Sequence, residues 1–252
     1  MDPNLYLLKG PGYFKDSEMN RAIIITDLTR FRDQTKVCVA GIDPRTGDCI
    51  RLQPYPKAQW CEKHKIFPGT IVKGDFKVCP ERLGPHQEDY WCRNLSVTGC
   101  CSYAEFKDLL VSSQFASVGE GFEFSFEQDQ KHLPIGHSVD RSIVTIPVNP
   151  TYVEIVRNTF KPGKIKLHFT DQADHRFRYI SVTDLGFYDY AMQHQAENDL
   201  EILNTGIHAQ NEVFLRLGLS RRYQANDTEG YWLQVNGIYT FPDVLQPIRS
   251  YH

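Results

Sequence analysis

Three polar clusters in the sequence combine residue types that catalyse reactions or bind phosphate. The first lies in residues 85–91, where His86, Glu88 and Asp89 supply an imidazole and two carboxylates close together. Neighbouring titratable groups with separated pKa values can act as general acid and base, or can hold a divalent metal ion. A structural interpretation is favoured instead, with His86 as a hydrogen-bonding loop residue and Asp89 as a turn former. These three residues are therefore the catalytic candidates, and no catalytic residue or metal ligand is assigned.

The second cluster places three arginines and a tyrosine within eight residues, at Arg216, Arg221, Arg222 and Tyr223. Guanidinium groups bind phosphate bidentately and stack on bases, and an adjacent tyrosine offers a further stacking surface. The same residues would also suit an ordinary strand end with solvated or ion-paired arginines. Both interpretations remain open on the sequence alone.

The third cluster lies in residues 231–237, which have the pattern of a β-strand. Alternation along such a strand would place Trp232, Gln234 and Asn236 on one face. Amide side chains can read a base edge through their paired donor and acceptor, and tryptophan can stack on a base. The alternative is that Gln234 and Asn236 satisfy buried backbone groups.

A β-hairpin is the strongest local prediction in the first half of the chain. Two strand patterns flank a turn that contains Pro44 and Gly47, within residues 36–54. In the second strand Ile50 and Leu52 alternate with Arg51 and Gln53. This alternation predicts one buried face and a second face that Arg51 and Gln53 share.

The remaining elements are mostly short strands with a few helices. A helix is predicted from Ser102 to about Gln114, because Ser102 and Glu105 have the spacing of a capping box. A second hairpin is predicted over residues 164–182, in which Lys164, Lys166 and His168, and then Arg176 and Arg178, alternate with apolar neighbours. Another helix is predicted from Leu185 to about Asn198.

This pattern predicts a mainly β protein of the β-barrel type, with two tandem OB-like barrels. The acidic, glycine-containing stretch 119–137 is the predicted connection between them. The predicted organisation is an N-terminal arm over residues 1–20, a first domain over 21–137 and a second over 138–252.

Composition and missing motifs exclude several classes of protein. The 252 residues carry 28 Lys and Arg against 31 Asp and Glu, a formal charge of −3, so a polyanion site must be a local basic cluster. Apolar runs fall short of the roughly 20 residues of a membrane span, and no secretory signal is recognisable, so we expect a cytoplasmic location. P-loop, Rossmann, zincin and nucleophile-elbow motifs are missing from the sequence, which makes an enzyme of those classes improbable.

The seven cysteines all lie within the first 101 residues. An odd number without a secretory signal indicates reduced thiols rather than disulfides. Cys61 and His64 could supply two zinc ligands only if other cysteines came close in space, so neither a metal nor another cofactor is predicted.

Several stretches together resemble the prokaryotic dual OB-containing domain family, abbreviated DuOB. They are residues 24–31, 37–43, 50–54, 85–91, 215–221 and 234–239. The resemblance extends from about Arg21 to Leu245 and implies two tandem OB-like barrels that bind nucleic acid or a nucleotide. It implies no characterised reaction, and it carries an association with mobile-element or defence-related gene neighbourhoods.

The favoured hypothesis is a module that binds single-stranded DNA or RNA. Its candidate contacts are Arg30, Arg51, Gln53, Trp91, Arg216, Arg221, Arg222, Tyr223, Trp232, Gln234 and Asn236. One alternative is a sensor or enzyme for a nucleotide or another small ligand, with a pocket between the domains. A second alternative is a protein–protein adaptor in a larger complex.

Overall fold

The computed structural model describes residues 20–159, 161, 164–196, 199–225 and 227–243. The chain divides into two compact units, of which the first extends to Ser113 and the second begins at Gln114. The predicted N-terminal arm lies outside the described residues except for Asn20. Within the described part, no helix is long and apolar enough to cross a membrane.

The first unit is a closed five-stranded barrel. Its elements are β1 (Arg21–Arg30), β2 (Val37–Ile42), β3 (Cys49–Gln53), α1 (Ala58–Lys63), β4 (Thr70–Val78), β5 (Asp89–Cys100) and α2 (Tyr103–Ser112). The strand order is β1-β2-β3-β5-β4, and β4 returns to β1. β3 and β5 run parallel, whereas the other neighbours are antiparallel. A five-stranded barrel with this order and a helix between its third and fourth strands is an OB-type barrel.

A single long strand closes the first barrel. The first half of β1, residues 21–24, pairs with β4, and its second half, residues 24–30, pairs with β2. Ile23 and Ile25 are fully buried, as are Ile50 and Leu52 on β3. The core of this unit therefore lies inside the barrel.

The second unit contains an eight-stranded sheet. Its strands are β6 (His132–Pro134), β7 (Ile143–Val148), β8 (Glu154–Arg157), β9 (Ile165–Thr170), β10 (Arg176–Val182), β11 (Glu212–Leu219), β12 (Tyr223–Ala225) and β13 (Thr228–Phe241). The main path is β7-β11-β13-β10-β9-β8, and β6 and β12 both pair with β13. The helices are α3 (Val118–Gly121), α4 (Leu185–Ala196) and α5 (Leu200–His208).

This path repeats the order of the first barrel with the first strand cut in two. β7 pairs with β11, and β8 pairs with β9, just as the two halves of β1 pair with β4 and β2. A 3₁₀ turn, Pro150–Tyr152, separates β7 from β8, and the Asn149 side chain accepts a hydrogen bond from the Thr151 N–H at 3.0 Å. α4 and α5 occupy the place of α1, between the third and fourth strands. The second unit is thus a second OB-like barrel.

The boundary between the units lies after Ser113 rather than after His137. The stretch that was predicted to connect the domains belongs to the second unit, where Phe122 and Leu133 are fully buried in the core. The Val118 N–H donates to Asp171 Oδ2 at 3.0 Å and fixes α3 on the turn after β9. Glycines and acidic residues made this stretch look like a linker, although its apolar residues pack into the core.

Both predicted hairpins and the capped helix are confirmed. β2 and β3 pair with antiparallel register, as do β9 and β10. Ser102 and Glu105 form the capping box of α2. The helix predicted from Leu185 to about Asn198 is confirmed as α4, whereas the sequence did not predict the six-residue α1 or α5 as a separate helix.

Candidate nucleic-acid interface

The outer surface of β9 carries cationic side chains because the strand alternates strictly. Ile165, Leu167 and Phe169 are buried in the core of the second unit. Lys166 and His168 therefore point to the opposite face, which is partly exposed. β9 and its neighbour β10 correspond to the second and third strands of an OB barrel. OB folds bind oligonucleotides and oligosaccharides on the face of these two strands.

A β-bulge in β10 adds an aromatic ring to the same surface. The register shifts between Phe177 and Ile180, and Tyr179 has a φ of 55°. Arg178 and Tyr179 consequently both lie opposite His168. The rings of Tyr179 and His168 meet edge to face, with centroids 4.6 Å apart.

Lys166 is the cation at the centre of this surface. Its Nζ donates to Ser181 Oγ at 2.7 Å, and Ser181 is in register with Gln234 on β13. Partial burial, followed by the nearby charges of Lys131, Lys164 and Lys161, lowers the pKa of Lys166 to about 8. Lys166 therefore lies among like charges.

Lys131 belongs to the same cluster. Its Nζ lies 5.7 Å from the centroid of the Tyr179 ring, which is cation–π distance. Partial burial lowers its pKa, and the nearby Asp129 opposes that effect.

His168 contributes a ring that is neutral near pH 7. Burial is the largest cause of its lowered pKa, the Glu154 carboxylate opposes the shift, and Arg176 and Arg178 add to it. Its Nδ1 lies 3.4 Å from Glu154 Oε2. Its Nε2 is buried and has no hydrogen-bond partner among the described residues.

Trp232 extends the surface along β13. Its ring packs against the His132 ring, with centroids 4.9 Å apart and planes inclined by 34°. Its Nε1 donates to the Tyr223 carbonyl at 2.9 Å, and its backbone N–H donates to Ser220 Oγ at 2.9 Å. The tryptophan is therefore held in a fixed orientation while part of its ring stays accessible.

We call this continuous surface the basic face. It comprises Lys131, His132, Lys166, His168, Arg176, Arg178, Tyr179, Ser181, Trp232 and Gln234. Within the described residues, Lys131, Lys166, Arg176 and Arg178 have no carboxylate within ion-pair distance. A local basic cluster thus exists in a chain whose total charge is −3.

The structure places Arg51 in a buried ion-pair cluster. Its Nε donates to Asp89 Oδ1 at 2.7 Å, and its Nη2 lies 3.6 Å from Glu88 Oε2. Burial opposes the charge of Arg51, but the surrounding charges of Cys38, Glu88 and Asp89 raise its pKa above the ordinary value. Arg51 is only 5% exposed, so this geometry favours a structural role over phosphate binding. The face of β3 that Arg51 and Gln53 were predicted to share is therefore buried at Arg51.

The other candidates of the first unit lie around this cluster or at strand ends. Gln53 Nε2 lies 3.4 Å from Asp89 Oδ1, and His86 is 2% exposed with Nδ1 3.3 Å from the Leu83 carbonyl. Trp91 is in register with Gln53, and its buried Nε1 has no hydrogen-bond partner among the described residues. Arg30 is half-buried at the end of β1. His86, Glu88 and Asp89 are all buried, an environment typical of structural groups.

Arg216 and Asn236 are buried in the second unit. Arg216 is 1% exposed, and its Nη1 donates to Thr145 Oγ1 at 2.9 Å. Asn236 Oδ1 accepts a hydrogen bond from Thr183 Oγ1 at 3.0 Å. A Cβ at Gly218 would lie 2.2 Å from the Asn236 amide, so glycine is needed there. Asn236 is 8% exposed, and the register of β11 and β13 shifts here, since Arg216 is opposite Gly237 and Leu217 opposite Val235. The bulge at Asn236 interrupts the alternation that was predicted to place it beside Gln234.

The remaining predicted contacts lie on the segment after β11. Arg222 forms a two-point ion pair with Glu229, with Nη2 2.9 Å from Oε2, and this pairing raises the pKa of Arg222. Arg221 is exposed, and Tyr223 is 62% exposed. Of the predicted contacts, Trp232 and Gln234 are the two that lie on the basic face.

Sequence reasoning did not assign Lys131, Lys166, His168, Arg178 or Tyr179 to the site. The alternation of cations along the β9–β10 hairpin was the signal that could have found most of them. Lys131 comes from a segment that was taken for a linker, and Tyr179 reaches the surface only through a bulge. Among the described residues, no three His, Cys, Asp or Glu side chains form a group that could hold a metal ion.

Two successive barrels with OB strand order make this a tandem OB-fold protein. The family model of the dual OB-containing domain matches residues 23–238, so the chain belongs to the DuOB family and the resemblance seen in the sequence is confirmed. No curated protein matches the chain. Among solved structures, a chain of a replication protein A heterotrimer bound to ssDNA is similar, with a TM-score of 0.42 and 10% identity. The match covers 96% of this chain and 53% of the replication protein A chain, so this chain spans about half the length of that relative.

Proposed function

We propose that this protein binds single-stranded nucleic acid through the basic face of its second barrel. The observation that carries the proposal is the grouping of cations and rings on one face, where Lys131 lies 5.7 Å from the Tyr179 ring centroid and Lys166 donates to Ser181 Oγ at 2.7 Å. Partial burial, and then the charges of Lys131, Lys164 and Lys161, lower the pKa of Lys166 to about 8. A phosphate group placed there would relieve the repulsion between these charges. A neutral oligosaccharide, the other common ligand of this OB surface, would not.

The aromatic groups of the basic face support a single strand rather than a duplex. Tyr179 and the Trp232–His132 pair present rings beside the cations. In a single strand the base faces are accessible for stacking on such rings, whereas in a duplex they are covered. Gln234 adds an amide that can hydrogen-bond a base edge.

The remaining expectations about function stay predictions. They include the contacts predicted at Arg30, Gln53, Trp91, Arg221 and Tyr223, as well as the cytoplasmic location and the defence-related setting. The adaptor hypothesis would gain support if the protein bound no nucleic acid.

The proposal is tested by fluorescence anisotropy with labelled single-stranded DNA, single-stranded RNA and duplex of about 20 nucleotides. Titrations at about 50 and 200 mM salt give the salt dependence of the affinity. The key variant is Arg176→Ala with Arg178→Ala. The matched variant is Arg221→Ala with Arg222→Ala, which removes the same charge from the same unit.

We expect the Arg176/Arg178 variant to lose about tenfold or more in single-strand affinity. The slope of log K against log salt should become shallower by about 1.4, because two phosphate contacts are lost. The Arg221/Arg222 variant should bind like the original protein. The opposite ranking would place the site on the segment after β11, and no binding to any probe would overturn the proposal.

A further inference from the structure

A cleft of about 410 Å³ lies in the second unit, between residues 117–126 and the turn that joins β9 to β10. A second cleft of about 290 Å³ shares Phe126 and His175 with it, and Arg176 and Arg178 line that second cleft. The two clefts therefore form one groove, which we call the side groove. Its arginine end belongs to the basic face, and its other end leads away from that face.

The two ends of the side groove differ in charge, because Arg176 and Arg178 line the smaller cleft together with Asp129 and Asp174, whereas no Arg or Lys among the described residues lines the larger cleft. The larger cleft is lined by Glu120 and Glu123. Glu120 Oε2 accepts from the Ala116 N–H at 2.9 Å, and Glu123 Oε1 accepts from Arg141 at 3.0 Å. The second oxygen of each carboxylate has no hydrogen-bond partner among the described residues and can accept a further bond.

The third carboxylate of the larger cleft has a structural role. Asp171 Oδ1 accepts from the backbone N–H groups of Ala173 and His175, and its Oδ2 accepts from the Val118 N–H. Its oxygens are thereby used to shape the turn. Acceptors for a ligand are left on Glu120 and Glu123.

His175 lines both clefts of the side groove. Its Nε2 is buried and has no hydrogen-bond partner among the described residues. Its ring packs against Phe177, with centroids 4.5 Å apart, and lies 6.4 Å from the Phe126 ring. His175 therefore offers a ligand its ring, whereas its Nε2 is shielded from the groove.

The arrangement of the phenylalanines excludes a cage for a methylated amine. Phe124 and Phe126 meet edge to face with centroids 5.0 Å apart, and Phe126 and Phe177 do so at 5.4 Å. A cation cage needs ring faces arranged around an open centre, whereas these rings contact one another.

We propose that the side groove holds one nucleotide whose base carries an exocyclic amino group. Its phosphate contacts Arg176 and Arg178, its base packs against Phe126, and its amino group donates to Glu120 or Glu123. The inference rests on the proposed function, because the basic face delivers the nucleotide as part of a strand.

This geometry discriminates cytosine from uracil. Cytosine presents an N4 amino donor, which a glutamate accepts, whereas uracil and thymine present a carbonyl oxygen at the same position. A carboxylate facing that carbonyl would repel it. The groove should therefore prefer cytosine, adenine or guanine to uracil and thymine.

The test uses isothermal titration calorimetry of the full chain with CMP and UMP, which match in size and phosphate. We expect CMP to bind about fivefold or more tightly than UMP. The variant Glu120→Gln with Glu123→Gln should abolish this preference, since an amide can also donate to a carbonyl. Glu127→Gln, on the same segment but outside the groove lining, is the matched control and should change nothing.

Equal affinity for CMP and UMP, or an unchanged preference in the double glutamine variant, would overturn the inference. Binding of oligothymidylate separates it from the proposed function, because thymine does not suit the groove. If oligothymidylate binds but no mononucleotide does, the basic face is retained and the base site is wrong. If CMP binds selectively but no oligonucleotide does, the groove is a mononucleotide site and the proposed function is wrong.

Discussion

The two barrels differ most at one shared position, the parallel pairing of the third and fifth strands. In the first barrel this pairing sets Arg51 opposite Asp89, and the two side chains form an ion pair at 2.7 Å. In the second barrel it sets Ser181 opposite Gln234, and Lys166 donates to Ser181. The first barrel pairs its cation internally, whereas Lys131, Lys166, Arg176 and Arg178 of the second have no carboxylate at ion-pair distance among the described residues.

The pKa shifts of the two cations have opposite directions for this reason. Burial acts against the charge of both groups. Carboxylates around Arg51 reverse that effect and raise its pKa, whereas the lysines around Lys166 add to it and lower the pKa to about 8. The region around the third strand therefore holds a paired cation in the first barrel and a group of like charges in the second.

The largest expected effect is on the stability of the first barrel. Asp89→Asn removes the shorter of the two ion pairs of Arg51. The buried guanidinium then keeps only the Glu88 carboxylate, at 3.6 Å, as an ion-pair partner among the described residues. We expect the free energy of unfolding to fall by roughly 3 kcal/mol, measured by urea denaturation. Single-strand affinity, measured where the variant is folded, should not change.

The matched control is Asp48→Asn. Asp48 pairs with Arg21 at 2.6 Å, but its side chain is 48% exposed. Its loss should cost less than about 1 kcal/mol. If Asp89→Asn were fully stable and bound nucleic acid poorly, the Arg51 cluster would be a binding site and the contrast between the barrels would fail.

A smaller effect compares one tryptophan from each barrel. Trp232→Ala should lower single-strand affinity about tenfold, because it removes a stacking surface from the basic face. Trp91→Phe should leave affinity unchanged, and it removes an indole N–H that has no hydrogen-bond partner among the described residues. Anisotropy titrations at one salt concentration measure both, with circular dichroism as the check on folding. A loss confined to the Trp91 variant would move the interface to the first barrel.

Local features of this fold could be predicted from the sequence, and long-range ones could not. The capping box at Ser102 and both hairpins follow from neighbouring residues, and they are correct. The Arg51–Asp89 pair depends on parallel strands 38 residues apart, which no local pattern specifies. The basic face likewise joins Lys131 to Lys166 from segments that the sequence assigned to different domains. The alternation of polar and apolar residues in β9 identified Lys166 as outward-facing. Its neighbours became known only from the register of β9 with β10 and of β10 with β13.

The smallest effect is a pH dependence that only the second barrel should produce. A bound phosphate favours the protonated ammonium of Lys166, so affinity should fall as pH rises through about 8. Between about pH 7 and 9 we expect a decrease of about fivefold at constant ionic strength. Lys166→Arg keeps the charge throughout this range and should flatten the profile.

His168 does not produce this pH dependence, because its pKa is lowered and its ring is already neutral above pH 7. The groups that face Lys166 are Ser181, which does not titrate in this range, and the three lysines, of which Lys131 also has a lowered pKa. An unchanged decline in the Lys166→Arg variant would assign the titration to Lys131. A flat profile in the original protein would show that phosphate does not reach Lys166, and the two barrels would then be alike in making no use of their central cation.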